Sequence, residues 1–234
     1  DAESAGAAAR SSVRPALVLF CAEQGFAGAF SERVLDAVGA ELAECELFLV
    51  GTRGASIAAE RGLAPDWHGA MPSHSLGIPK LADRISDALY ARIAAGRIDR
   101  LDAIFSRWRP GHGVHVERRR LFPLDLAGFA RPGETNLAAN APLLNLDAES
   151  LLFDLAAGYV HAQLCTTALH AFAAENEARM VSMSAAHSQI ERQLSDLQTT
   201  ERIVRQGEIT AEIIELAAGE TASRSDRTRR GFAP

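Results

Sequence analysis

The residues best placed to do chemistry in this chain lie in two glycine-bearing turns. Glu23-Gln24-Gly25-Phe26-Ala27-Gly28 follows one short apolar run, and Gly51-Thr52-Arg53-Gly54 follows another. A glycine turn between a strand and a helix is where backbone N–H groups cradle phosphates, and Arg53 has the charge to hold an anion. The first turn, however, lacks the third glycine of a dinucleotide fingerprint and the Lys-Ser/Thr pair of a P-loop. Both stretches therefore read as tight, solvated connections in which Gly25, Gly28, Gly51 and Gly54 serve the backbone.

Other reactive side chains fail on spacing. His112 and His115 sit on a turn and the strand after it, and positions three apart on a strand face opposite ways. His161, His170 and His187 share no HxxxH spacing on a helix. There is no GxSxG serine, and no cysteine accompanies a His/Asn signature. No catalytic residue, metal site or cofactor is expected. Cys21, Cys45 and Cys165 are far apart and odd in number, which predicts reduced, buried thiols in a cytosolic setting. Arg118-Arg119-Arg120 alternates faces on a strand and reads as a solvated edge.

The chain carries a net charge of −6, and 47% of its 234 residues are hydrophobic. That balance excludes a dedicated nucleic-acid binder. No run approaches the ~20 apolar residues needed to span a bilayer. Asp1 to Ser12 lacks the order of a secretion signal. With no initiator methionine, the chain reads as a processed or trimmed product.

Up to about residue 142, strand and helix signals alternate. Ala16–Cys21, Glu46–Val50, Leu101–Trp108 and Val114–Leu124 read as strands. Ser31–Leu42, Ala55–Arg61 and Leu76–Ala95 read as helices. The last two strands flank Arg109-Pro110-Gly111-His112-Gly113 and predict an antiparallel hairpin. The alternation predicts an open, partly parallel α/β sheet with helices on its faces over 15–142. Residues 1–14 are expected to be disordered or a linker, and 127–142 a surface loop.

From Leu143 to Ala233 there is no proline. Proline costs about 3 kcal/mol in a helix interior, so this stretch permits one long helix over 143–220. It equally permits two or three antiparallel helices turning near Gly158, Asn176 or Gly207. Met183, His187, Ile190, Leu194, Leu197, Glu201 and Val204 alternate at spacings of four and three, a heptad seam. Such a seam needs a partner helix, and nothing else in the chain is long enough. Residues 221–234 hold Arg224, Arg227, Arg229 and Arg230 among Ser and Thr and read as a disordered tail.

Glu175-Asn176-Glu177-Ala178-Arg179-Met180-Val181-Ser182-Met183 resembles the E-x-x-A-R-M-x-A-M stretch of the gamma subunit of F-type ATP synthase. Arg205-Gln206-Gly207-Glu208-Ile209-Thr210-Ala211-Glu212-Ile213-Ile214-Glu215 is similar to that family's R-Q-x-x-I-T-x-E-I-x-E closing motif. Cys21 to Phe30 and Gly51 to Gly54 resemble its S-D-R-G-L-C-G-x-F and G-R-K-G turns. The likeness runs from about Pro15 to Gly219.

The resemblance implies a Rossmann-like domain flanked by N- and C-terminal helices wound as an antiparallel coiled coil. The family's N-terminal helix is missing from this sequence and is the partner the seam demands. The resemblance further implies a non-catalytic rotor that transmits torque between a membrane c-ring and the catalytic alpha and beta subunits. It implies an epsilon partner and a peripheral place at the cytoplasmic face of the bacterial inner membrane. By position, Arg205, Gln206, Thr210, Glu212 and Glu215 would touch the catalytic head. Met180, Met183, Ile190, Leu194 and Leu197 would line the seam, and Tyr159 would lie near the foot. Ser184 stands where the family carries lysine, and Glu23-Gln24 where it carries Asp-Arg, so the resemblance is to a divergent member. Two rivals follow from the residues alone: a small-ligand α/β protein using the Gly25/Gly28 turn, and a stand-alone coiled-coil scaffold.

Overall fold

A computed structural model describes residues 14–124 and 144–230, with side chains described for 15–124 and 144–221. The expected linker at 1–14 and loop at 127–142 fall almost wholly outside the described residues.

Among the described residues the strands form one five-stranded sheet in the order β3-β2-β1-β4-β5. They are β1 (Arg14–Phe20), β2 (Glu46–Val50), β3 (Trp67–Gly69), β4 (Ile98–Arg109) and β5 (Gly113–Phe122). β1 pairs in parallel with β2 and β4, and β2 with β3. β5 returns antiparallel along β4, with Asp102 opposite Arg120 and Ile104 opposite Arg118. β1 and β2 are continuous apolar runs because both faces are covered. β3 was not expected: three residues leave no apolar run to read. Its Trp67 stacks on Phe48 with ring centroids 5.9 Å apart.

Helices α1 (Phe30–Asp36) and α2 (Thr52–Glu60) cover one face of the sheet, and α3 (Ile78–Ala94) and the start of α4 (Ala148–Arg230) cover the other. On the first face Leu17, Leu19, Leu47, Leu49 and Ile104 meet Val34, Leu35, Ile57 and Ala58. On the second, Val18, Phe20, Phe48, Val50 and Phe105 meet Ile78, Leu81, Ile85 and Leu89 of α3 and Val160, Leu164, Ala168 and Ala171 of α4.

Local chemistry sets the helix ends. Gly51 begins α2 at φ 110°, and a Cβ there would lie 2.5 Å from the Cys21 carbonyl oxygen. Only glycine fits that position. Thr52 to Gly54 are thus the first turn of α2 and not part of a loop. The helix expected over Ser31–Leu42 stops at Asp36, and Gly39–Ala43 is a 3-10 turn. α3 carries Pro79 in its first turn, where the missing N–H costs nothing, and ends before Gly96 at φ 68°. At α4, the Asp147 carboxylate accepts the Ser150 N–H at 2.8 Å, an N-cap. That bond holds the Asp147 carboxyl below its usual value.

α4 is one helix of 83 residues, without turns at Gly158, Asn176 or Gly207. It runs through Arg230, so the segment 221–230, expected to be disordered, is helical; 231–234 lie outside the described residues. The chain divides into two compact units at Ser182/Met183 and not near residue 142. The first includes the sheet and the start of α4, because Val160 to Ala178 bury their faces in the α/β core. The second is helix through Arg230, about 70 Å at ~1.5 Å per residue.

Candidate functional site

In a doubly wound sheet, ligands bind at the carboxyl ends of the strands, where the strand order reverses. Here that point is the loop after β1, between β1 and β4. The protein itself occupies the side of the crevice against the loop after β1, and an open depression lined by Gly28, Trp108, Val114, Ala178 and Ser182 remains beside it. Ala174 and Ala178 of α4 pack on Ala22, Ala27 and Phe30. Between them Glu175, only 4% exposed, turns its carboxylate toward the loop. Its Oε1 accepts the Glu23 N–H at 3.1 Å and the Gln24 N–H at 3.2 Å. Arg179, one turn on, binds the same Oε1 and donates from Nε to the Gly25 carbonyl at 3.3 Å.

The N-terminus of α2, the other natural anion site, is taken by Glu23. Its carboxylate accepts the Thr52 N–H at 3.0 Å, the Thr52 hydroxyl at 2.6 Å and the Met71 N–H at 2.7 Å. An internal carboxylate thus sits where a ligand phosphate would bind, and Arg53 is exposed to solvent. This geometry disfavours the small-ligand rival. The left-handed residues of the first turn are Phe26 and Gly28, both at φ 62°. A Cβ on Gly28 would stand 3.2 Å from the Ser182 hydroxyl, whereas one on Gly25 would meet nothing.

Arg118 and Arg120 are exposed on the edge strand β5, as expected, but both are ion-paired. The Asp102 carboxylate, buried on β4, accepts from Arg118 Nη2 at 2.7 Å, Arg100 Nη2 at 2.7 Å and, more weakly, Arg120 Nε at 3.4 Å. Burial raises the Asp102 carboxyl, but the Arg100 and Arg118 hydrogen bonds outweigh it and hold the group below its usual value. Arg118 also reaches Glu41. The buried Glu46 is held likewise by Arg92 at 3.0 Å and by Arg97.

One constellation escaped the spacing argument. Cys165, His161 and Asp83 are adjacent, with His161 Nε2 3.0 Å from Asp83 Oδ1. It resembles a thiol–imidazole–carboxylate relay. The Cys165 sulfur, however, lies 3.9 and 4.0 Å from the two ring nitrogens and addresses neither. Burial and then the Asp83 charge raise its pKa, the reverse of what a nucleophile needs. Cys165 is half-buried, whereas Cys21 and Cys45 are buried. Burial pushes the Cys21 thiol up to about 12. Among the described residues no group of three or more His, Cys, Asp or Glu is placed to hold a metal.

Along α4 the seam side chains are open. Met180, Met183, Ile190, Leu194 and Leu197 are each more than half exposed, as are Val204, Ile209, Ile213 and Leu216. Arg205, Gln206, Thr210, Glu212 and Glu215 are all exposed. Arg205 and Glu212, seven apart, share a face. Gln206 and Thr210 share another, and the Thr210 hydroxyl donates to the Gln206 carbonyl at 2.8 Å. The set therefore spreads over about 220° of the helix circumference at ~100° per residue instead of forming one narrow patch. Tyr159 lies near the start of α4, 37% exposed. Glu175 and Arg179 were not singled out as site residues; their only sequence signal was the i,i+4 acid–base pair inside the E-x-x-A-R stretch.

Fold and site together define a doubly wound α/β domain that grips a long helix, the helix bearing an uncovered heptad seam. A family model described as ATP synthase matches residues 2–222. The ATP synthase gamma chain of Streptomyces griseus is 27% identical over 221 residues, covering 89% of this chain and 72% of that relative. The gamma chain of Kineococcus radiotolerans is 27% identical over 234 residues, covering 94% and 76%. Among solved structures, one of the Euglena gracilis mitochondrial ATP synthase (OSCP/F1/c-ring) contains a chain with the same fold: TM-score 0.66, 14% identity, 95% of this chain and 77% of that one. A central stalk/c-ring structure from Tetrahymena thermophila gives a TM-score of 0.54 at 17% identity, covering 74% and 77%. The chain belongs to the ATP synthase gamma family, that of the rotor stalk subunit.

Proposed function

We propose that this chain transmits torque between a membrane ion ring and a nucleotide-binding head, and performs no bond chemistry itself. The observation that carries the reading is the open seam on α4 of a chain matched almost throughout by the family model. An apolar stripe of this length stays in water unless a second helix covers it. Met180, Met183, Ile190, Leu194 and Leu197 pair with that helix to make a stiff two-stranded shaft.

The part of α4 from Met183 onward is the shaft, and the unit that ends at Ser182, with the sheet and the start of α4, is its foot. Arg205, Gln206, Thr210, Glu212 and Glu215 meet the alpha and beta subunits. Their spread over more than half of the circumference suits a rod that meets more than one neighbour at once. Such a rod biases otherwise equal catalytic sites only by touching each differently, since a partner shifts an equilibrium only through differential affinity. The foot, with Tyr159 near it, meets the c-ring and an epsilon subunit. The names of the related structures, which include the c-ring and F1, support that placing. Among the described residues no helix is long and apolar enough to cross a membrane. That fits a peripheral subunit attached through the ring, at the cytoplasmic face of a bacterial membrane.

Co-purification with alpha, beta and ring subunits tests the reading. A stoichiometric complex is expected. A homodimer with no affinity for head subunits would favour the scaffold reading instead. Saturable ATP binding by the chain alone would favour the small-ligand reading.

A further inference from the structure

We infer that Glu175 is the key that fixes the rotational setting of α4 against the α/β domain, and is thereby a positioning residue for torque transfer. The inference rests on the rotor reading above.

The face that α4 turns to the crevice is a row of methyl groups: Ala168, Ala171, Ala174 and Ala178, all buried. Such a row lets the helix approach closely; Leu164 and Val160 interlock with the sheet one and two turns earlier, while the stretch facing the loop, Ala174 to Ala178, carries only methyl groups. Dispersion contacts are individually weak and change little as a smooth rod turns. The ring of His170 stacks on Phe105 with centroids 6.0 Å apart, and Phe172 packs against the core beside it. Hydrogen bonds are directional and weaken steeply off line.

Among the described side chains of α4 two polar ones are buried, Thr167 and Glu175. Thr167 spends its hydroxyl on its own helix, donating to the Leu164 carbonyl at 3.0 Å. Glu175 reaches outside the helix, to two consecutive backbone N–H groups. With Arg179 on the Gly25 carbonyl, α4 holds the loop by both its donors and its acceptor.

The loop is itself braced. The Ala22 N–H donates to the buried Ser31 hydroxyl at 3.0 Å. The Glu23 carbonyl accepts the Arg53 N–H at 3.3 Å, and the Glu23 carboxylate pins Thr52 and Met71. A rotation of α4 about its axis must therefore break bonds to a fixed anchor and cannot drag the anchor along. Tyr90 to Ala157, Arg119 to Gln163 and Asp83 to His161 also bridge to α4, but through partly exposed groups that water can replace.

The test uses Glu175→Ala and Glu175→Gln in the assembled synthase, with hydrogen exchange on the chain alone. Glu175→Ala should raise exchange at the Glu23 and Gln24 amides about tenfold or more, as expected for loss of a charge-assisted acceptor. In the complex it should lower ion pumping per ATP hydrolysed severalfold while unloaded hydrolysis stays near the parent rate. Glu175→Gln keeps an acceptor oxygen at the same reach and should restore most of the pumping ratio. A residue that only stabilises the fold would lower assembly and melting temperature without moving that ratio.

Unchanged amide exchange in Glu175→Ala would overturn the key. So would faster exchange with an unchanged pumping ratio. Should Glu175→Ala fail to assemble, a Glu175→Gln complex that pumps no better than an uncoupled one would also overturn it. Failure of the parent chain to bind head and ring would defeat the rotor reading alone, because the exchange measurement still reports on the key.

Discussion

Gly54→Ala separates tertiary constraint from local propensity by sign. Gly54 lies in the first turn of α2, and in an exposed helix this change stabilises by about 1 kcal/mol. Here the added Cβ would lie 2.1 Å from the Cβ of Cys21 and 3.1 Å from its sulfur. Carbon atoms rest at ~3.5–4.0 Å, so α2 must retreat by more than about 1 Å. Retreat strains the Gly54 N–H bond to the Ala22 carbonyl, now 3.0 Å. Overpacking costs about 1–3 kcal/mol and an unmade buried hydrogen bond a similar amount. Set against the propensity gain, the net loss is about 3 kcal/mol. Urea unfolding followed by circular dichroism reads it directly. Gly158→Ala is the control: it sits inside α4 with nothing within 4 Å of the new methyl, and should gain about 1 kcal/mol. Adding Cys21→Gly to Gly54→Ala should recover part of the loss. A Gly54→Ala protein as stable as the parent, or more so, would refute the close approach of α2 to the end of β1.

Asp102→Asn removes the charge that Arg100, Arg118 and Arg120 surround and should destabilise by about 3 kcal/mol in urea unfolding at pH 7. The folded carboxyl lies below its unfolded value, so its contribution is complete above the unfolded pKa and is lost as pH falls through the folded one; the variant should lack that acid-limb loss. Alkylation at pH 8 followed by mass spectrometry should label Cys165 first, while Cys21 and Cys45 react only on unfolding, given their burial. Equal labelling of all three in the folded chain would contradict the packing of β1 against α2. Ile190→Asp with Leu194→Asp, both on exposed sites, should leave unfolding of the α/β domain within about 0.5 kcal/mol yet abolish co-purification with partner subunits.

The sequence was most legible where one physical cause dominated. β1 and β2 show as apolar runs because helices cover both faces. α4 shows as a proline-free stretch, and its seam as a heptad. What stayed hidden depends on partners distant in the chain. Glu175 meets residues 151 and 152 positions away, and no local pattern announces such a contact. The ion pair of Arg118 is hidden in the sequence because its carboxylate, Asp102, lies 16 residues earlier on the neighbouring strand. Glu23 belongs by composition to a solvated turn, yet its oxygens accept the Thr52 and Met71 N–H groups, 29 and 48 positions away. The boundary between units fell 40 residues later than composition indicated, since the alanines that bury α4 against the sheet look the same as those of a free rod.

The decisive measurement is single-molecule rotation. A probe on the α/β domain of this chain, assembled with surface-fixed alpha and beta subunits, should turn in one direction in three equal steps per revolution when ATP is supplied. A probe that stays still or turns at random, on a complex that binds the chain and hydrolyses ATP, would contradict torque transfer through α4.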